Sequence, residues 1–324
     1  MATLLDDRHR RVHKLRNLLH SFLLVGGLWL LTALCAWLLW SWTGVVLGTA
    51  WILGLYAFAP RLPPELVMRM YRAARLDPRR GGDLARLVAA LSQRADLPTV
   101  PHIYVIPSTA LNAFATGTPQ KAVIGVTEGL LRRLTLREIA GVLAHEISHV
   151  RNNDLSVMGL ADLMTRFTQA LSYLALFLVL FNLPALLSGE LQVSLLAIAL
   201  LYLAPTIGSL LQLGLSRTRE YDADLEGASL TGDPVGLASA LQKLERYQGR
   251  FWEDLMFPVP GRRVPQPSLL RSHPATEDRV ARLLALQQHP PATPIEMREQ
   301  PWGDGTAWQT SLMRPRYRWP GVWY

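Results

Sequence analysis

Residues 135–154 read TLREIAGVLAHEISHVRNND, with the pattern H-E-x-x-H near their centre. Residues four apart lie on one face of a helix, so His145 and His149 are spaced to bind one Zn²⁺ ion together. Glu146, one step round the helix, would reach a water molecule bound to that ion. The pattern therefore predicts a zinc site at which water is the reacting group.

Other residues predict the helix around this pattern independently. Thr135 and Glu138 have the spacing of a capping box. Apolar side chains then recur at helical spacing, at Ile139, Val142, Leu143 and Val150. Histidines at this spacing also occur in buried helices that bind no metal, so the pattern alone leaves a structural role open.

A catalytic zinc site of the His₂Glu type needs one further carboxylate, and the best candidate is Glu220. It lies in the segment SRTREYDAD, residues 216–224, whose helical pattern ends at Gly232. Asp224, four residues further along the same face, is placed to hydrogen-bond a ligating histidine. The alternative is that Glu220 and Asp224 are solvated charges at the start of a helix.

The apolar residues are concentrated in two long segments, which predicts a membrane protein. The chain has 324 residues, of which 50% are hydrophobic, and no residue from Ser21 to Pro60 is charged. This run is about twice the roughly 20 residues that a helix needs to cross a bilayer, and it predicts a transmembrane hairpin with its turn near residues 41–44. It is also too long for a signal peptide, whose apolar core is about 7–15 residues. A second hairpin is predicted over residues 167–216, where only Glu190 is charged.

Basic residues flank these four predicted spans on one side of the membrane only. They precede the first and third spans and follow the second and fourth, at Arg8, Arg10, Arg11, Lys14, Arg16, Arg61, Arg69, Arg72, Arg75, Arg166, Arg217 and Arg219. By the positive-inside rule, both termini and the zinc helix face the cytoplasm, at the inner or plasma membrane of the cell. The alternative for the second pair of spans is an apolar helical hairpin buried in a soluble core.

The juxtamembrane basic residues also account for the formal net charge of +8, because Lys and Arg are attracted to anionic lipid headgroups. No nucleic-acid motif accompanies them, so we expect the bilayer as a partner and no nucleic acid. The single Cys35 lies within the first predicted span, which excludes an intramolecular disulfide and a cysteine-based zinc site.

Three short β-rich runs precede the zinc helix, at residues 101–107, 111–115 and 122–126. They predict a small sheet that follows a mainly helical segment over residues 61–100. An exposed edge strand of such a sheet can pair with an extended peptide and bring its carbonyl group to the metal. The alternative is a purely structural sheet.

Taken together, four segments make the chain resemble the HtpX-like membrane zinc metalloproteases, which are relatives of the CAAX prenyl protease. In order along the chain they are Asn112-Ala-Phe114, His145-Glu-Ile-Ser-His149, residues 216–224 and His273-Pro274. Two apolar spans separate the second segment from the third. The resemblance covers roughly residues 20–285 and leaves the Trp-, Arg- and Pro-rich tail unexplained.

The resemblance implies a role for each matching residue. It implies that each chain binds one Zn²⁺, with Glu220 as the third ligand. Asp224 would then be the hydrogen-bonding partner of a ligand. It also places Asn112 and His273 in contact with the substrate. His273 is then expected to donate a hydrogen bond to the oxyanion of the transition state. The alternative role for His273 is a structural cap before the helix that starts near residue 275.

The predicted fold class is mainly α, with four transmembrane helices and a cytoplasmic α+β metalloprotease domain of gluzincin type that contains a small β-sheet. The predicted divisions are a basic N-terminus (1–20), a transmembrane hairpin (21–60), the first part of the catalytic domain (61–166), a second hairpin (167–216), the second part of the catalytic domain (217–289) and a tail (290–324).

The predicted function is a membrane-bound zinc endopeptidase that cleaves membrane or misfolded proteins in protein quality control. Glu146 would accept a proton from the attacking water and return it to the leaving amine. One alternative is an intramembrane-type protease, which the polar residues 151–154 next to His149 disfavour. Another is a catalytically silent zinc-binding scaffold, although structural zinc sites usually have four protein ligands.

Overall fold

The computed structural model describes residues 2–58, 63–77, 82–189, 194–256, 275–286 and 295, and three short strands near the C-terminus. The helices are α1 (Ala2–Phe58), α2 (Pro64–Met70), α3 (Gly82–Arg94), α4 (Glu128–Arg133), α5 (Leu136–Arg151), α6 (Asp154–Phe181), α7 (Leu183–Leu187), α8 (Leu195–Thr231), α9 (Pro234–Met256) and α10 (Thr276–Leu286). The strands are β1 (Ala74–Leu76), β2 (His102–Ile106), β3 (Ala113–Thr118), β4 (Lys121–Thr127), β5 (Leu312–Met313), β6 (Tyr317–Arg318) and β7 (Val322–Trp323).

The chain divides into two compact units. The first combines Met1–Arg61 with Ser156–Arg219, and the second combines Leu62–Leu155 with Glu220–Tyr324. Each unit is therefore built from two separate parts of the sequence. The first contains the apolar helices, and the second contains the sheet and the H-E-x-x-H helix.

In the first unit, α1 consists of two helical arms joined by a reversal of the chain. The backbone leaves helical geometry at Trp40 (φ −139°, ψ 22°) and Ser41 (φ 52°, ψ −149°). Leu28 on the first arm and Ile52 on the second belong to one buried cluster. A straight helix would hold these two residues about 36 Å apart, so α1 is a helical hairpin whose turn lies beside the predicted residues 41–44.

Among the described residues, three helices are long and apolar enough to cross a membrane: Leu18–Ala57, Asp154–Phe181 and Leu195–Thr231. Large apolar side chains on these helices face outward, and Phe181 and Leu195 are 75% and 83% exposed. Continuous exposed apolar surface of this kind is characteristic of contact with lipid. The chain is therefore a membrane protein.

In the second unit, the sheet has the strand order β3-β4-β2-β1-β5. β3 and β4 form an antiparallel hairpin, β2 and β4 are parallel, and β1 is antiparallel to β2. β2, β3 and β4 confirm the three predicted β-rich runs. β3 lies at one edge, with no strand beyond it among the residues that the structure describes.

α5 starts at the predicted capping box. The Thr135 side chain accepts a hydrogen bond from the Glu138 backbone, and the Glu138 carboxylate accepts one from the Thr135 backbone at 2.9 Å. Ile139 and Leu143 on its apolar face are buried in one cluster with Ile124 of the sheet. This packing holds α5 against the sheet, next to β3, and so fixes the position of its two histidines.

Two predictions about this unit are wrong in part. The segment 61–100 is not helical throughout, because Ala74–Leu76 forms β1 and pairs with Tyr104 and Val105. A three-residue strand is too short to show an alternating pattern in the sequence. The weak periodicity of residues 290–324 predicts an irregular tail, but Met313 of β5 pairs with β1. Residues 257–274, which include His273, lie outside the described residues.

Candidate metal centre

α5 presents His145 and His149 on one face, as their spacing predicts. Their Nε2 atoms are 3.2 Å apart, and the rings meet edge to face with centroids 4.7 Å apart. The His145 side chain is 11% exposed and that of His149 is 15% exposed. Both imidazoles therefore point into one sheltered site.

Glu220 of α8 completes the candidate ligand set. Its Oε2 lies 3.5 Å from His145 Nε2, and its Oε1 lies 3.8 Å from His149 Nε2. Two ligands at tetrahedral zinc, each about 2.0–2.1 Å from the ion, are roughly 3.3 Å apart. The observed separations are close to this value, and two imidazole nitrogens with one carboxylate are a His₂Glu donor set. The residues present therefore fit zinc.

The alternative placement of Glu220 and Asp224 at a solvated helix start is wrong. α8 runs without interruption from Leu195 to Thr231, through Pro205, so both residues lie well inside the helix. Glu220 is 7% exposed and Asp224 is 4% exposed. Buried carboxylates are costly unless they are paired, so their burial at this position indicates partners in the site.

Each histidine has a carboxylate on its other ring nitrogen. Asp224 Oδ1 lies 3.0 Å from His145 Nδ1, and Asp154 Oδ2 lies 2.9 Å from His149 Nδ1. A carboxylate at Nδ1 holds the proton there and leaves Nε2 available for a metal. The partnership of Asp224 with a histidine was predicted. That of Asp154 was not, although its position five residues after His149 is visible in the sequence.

Local backbone geometry brings Asp154 to His149. Asn153 has a left-handed backbone conformation (φ 55°), which ends α5 and turns the chain into α6. Asp154 is the first residue of α6 and is 2% exposed. Asparagine tolerates this conformation better than most residues, so the sequence Asn153-Asp154 is suited to the turn.

Arg279 of α10 is a further residue of the site that sequence reasoning missed. Its Nε and Nη2 each lie 2.6 Å from an oxygen of Asp224, and its Nη1 lies 3.1 Å from Glu220 Oε2. Arg279 is 6% exposed, and its guanidinium forms a bidentate contact with the Asp224 carboxylate. Arg279 thus joins α10 to the two carboxylates of α8.

Electrostatics of the cluster favour a cation. Burial alone would lower the pKa of His145, but its hydrogen bonds to Asp224 and Glu220 and their negative charges outweigh burial and raise that pKa to about 10. The same two carboxylates would favour a metal cation between the imidazoles.

Glu146 lies beside the ligand set and contacts the edge strand. Its Oε2 accepts a hydrogen bond from the Ala115 backbone N–H at 3.0 Å. Burial raises the pKa of the Glu146 carboxyl, while the charges of His145 and His149 act in the opposite direction. The carboxylate is therefore placed next to the ligands without being one of the three converging groups.

Asn112 lies just before β3, with an exposed side chain and an anchored backbone. Its N–H donates to Thr127 Oγ1 at 3.0 Å, and its carbonyl accepts from the Thr127 N–H at 3.0 Å. The backbone is thus fixed while the amide side chain remains accessible. The structure does not describe His273, so its predicted role stays a prediction.

Comparisons with known proteins identify the family of this chain. Residues 78–287 match Peptidase family M48. A protease HtpX homolog of Desulfatibacillum aliphaticivorans is 36% identical over 278 residues, which cover 78% of this chain and 86% of the relative. Another, of Methylibium petroleiphilum, is 35% identical over 283 residues, which cover 83% of this chain and 98% of the relative.

A solved structure, that of S. mikatae Ste24p, is also similar to this chain. The two share 22% identity with a TM-score of 0.44, over 84% of this chain and 66% of Ste24p. The family match and the HtpX homologs decide the assignment: the chain belongs to peptidase family M48 and is a metallopeptidase of that family.

Proposed function

We propose that the chain is a zinc endopeptidase that binds one Zn²⁺ through His145, His149 and Glu220 and cleaves membrane or misfolded proteins. The observation that carries this proposal is the convergence of these three ligand atoms, all within 4.8 Å of one another, with the Glu146 carboxylate alongside. Membership in a peptidase family favours this function over a silent scaffold.

Glu146 supplies the proton transfers of the proposed reaction. A bound zinc ion would lower the pKa of a coordinated water molecule and polarise the peptide carbonyl. Glu146 accepts the proton of the attacking water and returns it to the leaving amine. The hydrogen bond from Ala115 orients its carboxylate, so the general base has a defined position before substrate arrives.

The open edge of β3 is the proposed place for the substrate backbone. The Asn112 carbonyl points towards β4, where it accepts the Thr127 N–H. Because backbone groups alternate in direction along a strand, Ala113 and Ala115 direct theirs to the open side. The contact of the Ala115 N–H with Glu146 agrees with this direction. An extended peptide paired here would pass beside the general base.

Two residues are proposed to act on the bound peptide. Asn112, with its anchored backbone and exposed amide, aligns the substrate at the start of β3. His273 donates a hydrogen bond to the developing oxyanion, which is a role argued from the sequence alone.

The hairpin form of α1 and the distribution of basic residues support a proposed membrane topology. Counting its two arms separately, we propose four spans, with both termini and the metal site on the cytoplasmic side of the inner or plasma membrane. The corresponding segments are residues 1–20, 21–60, 61–166, 167–216, 217–289 and 290–324. With Cys35 replaced by Ser, cysteine reporters at Ala2 and Glu277 should react only with reagents that enter the cytoplasm.

The decisive experiment compares zinc content with cleavage in the purified full chain. Glu146→Gln should retain about one zinc per chain and lose cleavage of casein, because Glu146 transfers protons and does not bind the metal. His149→Ala should lose both. Glu128→Gln, which alters a glutamate paired with Arg132 on α4, is the matched control and should keep both. Full cleavage by Glu146→Gln would contradict the proposed mechanism.

The quality-control role needs a separate measurement. In membrane fractions from cells that carry Glu146→Gln, we expect full-length substrate proteins to accumulate relative to wild type. The abundance of each protein by quantitative mass spectrometry gives this difference. Identical membrane proteomes would leave a peptidase with some other physiological role.

A further inference from the structure

A second polar cluster joins α5 to α8 and contains none of the proposed ligands. Glu226 of α8 is 9% exposed, and its carboxylate accepts hydrogen bonds from three side chains at the C-terminal end of α5. The donors are Ser148 Oγ at 2.7 Å, Asn152 Nδ2 at 2.5 Å and Arg151 Nη1 at 2.5 Å. We call Glu226 and these three donors the Glu226 cluster.

The Glu226 cluster favours one relative position of the two helices. A buried carboxylate is costly without hydrogen bonds, and the three donors to Glu226 lie in the last turn of α5 and at its C-cap. Asn152 also donates to Ser148 Oγ at 3.3 Å, which ties two of the donors together. A shift of α8 along α5 would break several of these bonds at once.

Gly227, the next residue of α8, lies where the two helices come closest. A Cβ atom built on Gly227 would lie 3.0 Å from the backbone nitrogen of His145 and 3.2 Å from the Cα of His145. Ordinary van der Waals contacts of a Cβ atom are 3.4–4 Å. The backbone of α8 therefore touches the backbone of α5 at a ligand residue, and glycine permits this approach.

Gly227 and Glu220 lie two turns apart on the same face of α8. The close contact at His145 consequently sets how far the Glu220 carboxylate lies from the two imidazoles. Zinc ligand distances tolerate changes of only about 0.2 Å, so a small separation of the helices would weaken binding. Neither this contact, which is made by the His145 backbone, nor the Glu226 hydrogen bonds involve a ligating side-chain atom.

We propose that Glu226 and Gly227 are positioning residues, which hold α8 against α5 so that Glu220 meets His145 and His149 at metal-binding distance. This inference rests on the proposed function, because it assumes that these three residues bind zinc. Glu226 is not a ligand, since its oxygens are engaged by the donors on α5.

The test measures zinc affinity of the full chain in detergent by competition with a chromophoric chelator, beside the melting temperature of the metal-free protein. Gly227→Ala and Glu226→Leu should each weaken zinc binding about ten- to hundredfold, the usual effect of altering residues that orient ligands. Glu226→Gln keeps the size and one acceptor oxygen, so it should recover most of the affinity that Glu226→Leu loses.

Gly159→Ala is the matched control, because it adds the same methyl group to a helical glycine with no atom within 4 Å. It should bind zinc as wild type does. If Gly227→Ala does not fold, the comparison of Glu226→Gln with Glu226→Leu still decides. A lowered melting temperature with unchanged zinc affinity in both Glu226→Leu and Gly227→Ala would overturn the positioning role. Failure of the wild-type chain to bind zinc would instead refute the proposed function.

Discussion

Asp154 offers a direct test of how the metal centre is supported, since it contacts His149 and was not expected from the ligand pattern. Its Oδ2 lies 2.9 Å from His149 Nδ1, and the residue is 2% exposed. The carboxylate fixes the ring so that Nε2 faces the metal. We expect Asp154→Ala to weaken zinc binding about 10- to 100-fold, which corresponds to roughly 1.4–2.7 kcal/mol.

A second effect of Asp154 must be separated from the first. The residue starts α6, where a negative charge near the helix N-terminus contributes about 0.3–1 kcal/mol to stability whether or not metal is bound. Asp154→Asn retains an oxygen that can accept the His149 N–H but carries no charge. Its zinc affinity should therefore lie between those of wild type and Asp154→Ala.

The assay is again chelator competition on the full chain, with melting of the metal-free protein as the measure of helix stability. Asp162→Ala is the control, because Asp162 is a partly exposed aspartate of α6 that pairs with Arg166 at 2.7 Å. It should leave zinc affinity unchanged. Equal zinc affinity for Asp154→Ala and Asp162→Ala, with both like wild type, would refute the argument that Asp154 orients a ligand.

The remaining predictions concern other parts of the second unit. His273→Ala should lower kcat about 10²–10³-fold at unchanged zinc content if His273 is an oxyanion donor. Asn112→Ala should raise KM as well as lower kcat. Unchanged kinetics of both variants in steady-state peptide assays would exclude both residues from catalysis. Arg279→Lys should lower the melting temperature of the metal-free protein, because lysine cannot form the bidentate contact, and a melting temperature equal to wild type would contradict this. Burial raises the pKa of Asp233, but hydrogen bonds from Arg137 and the α9 backbone outweigh burial and lower it. The stability that Asp233→Asn loses relative to wild type should therefore be full above about pH 4, and it should vanish at lower pH as wild-type Asp233 becomes protonated. If this pair contributes nothing, melting curves at several pH values will show a constant difference between the two proteins.

Local patterns were sufficient for the elements that carry the histidines. The capping box of Thr135 and Glu138 and the apolar spacing that follows it depend only on neighbours within a few turns, and α5 starts where they predict. The β-rich runs of β2, β3 and β4 were also visible, since each has enough residues to show its composition. β1 was not, because three residues provide too little pattern.

Contacts between distant segments were harder to predict. Glu220 could be proposed as a ligand because the chemistry of a His₂ site demands a third donor, which narrows the search to a few carboxylates. The chemistry of the metal site does not require an arginine, so it does not single out Arg279. This residue contacts Asp224, which lies 55 residues earlier in the chain. Glu226 likewise reaches Ser148 across 78 residues. A charged residue on an amphipathic helix is usually solvated, so its burial follows only from the packing of two helices.

The positions of the site residues along the chain connect metal binding with folding. Asp154, which contacts His149, begins α6, and Glu220 lies within α8, so the segment between them leaves the site and returns to it. Bringing its two ends together costs loop-closure entropy, which contacts at the ends must offset. A metal held by ligands from α5 and α8 binds only the closed arrangement, and at a thousandfold excess over Kd it would stabilise that arrangement by about 4 kcal/mol. The Glu226 cluster acts at the same junction without metal. The Glu226 cluster and a bound metal would therefore act on the same contact between α5 and α8, and both would favour the arrangement in which the three ligand atoms converge.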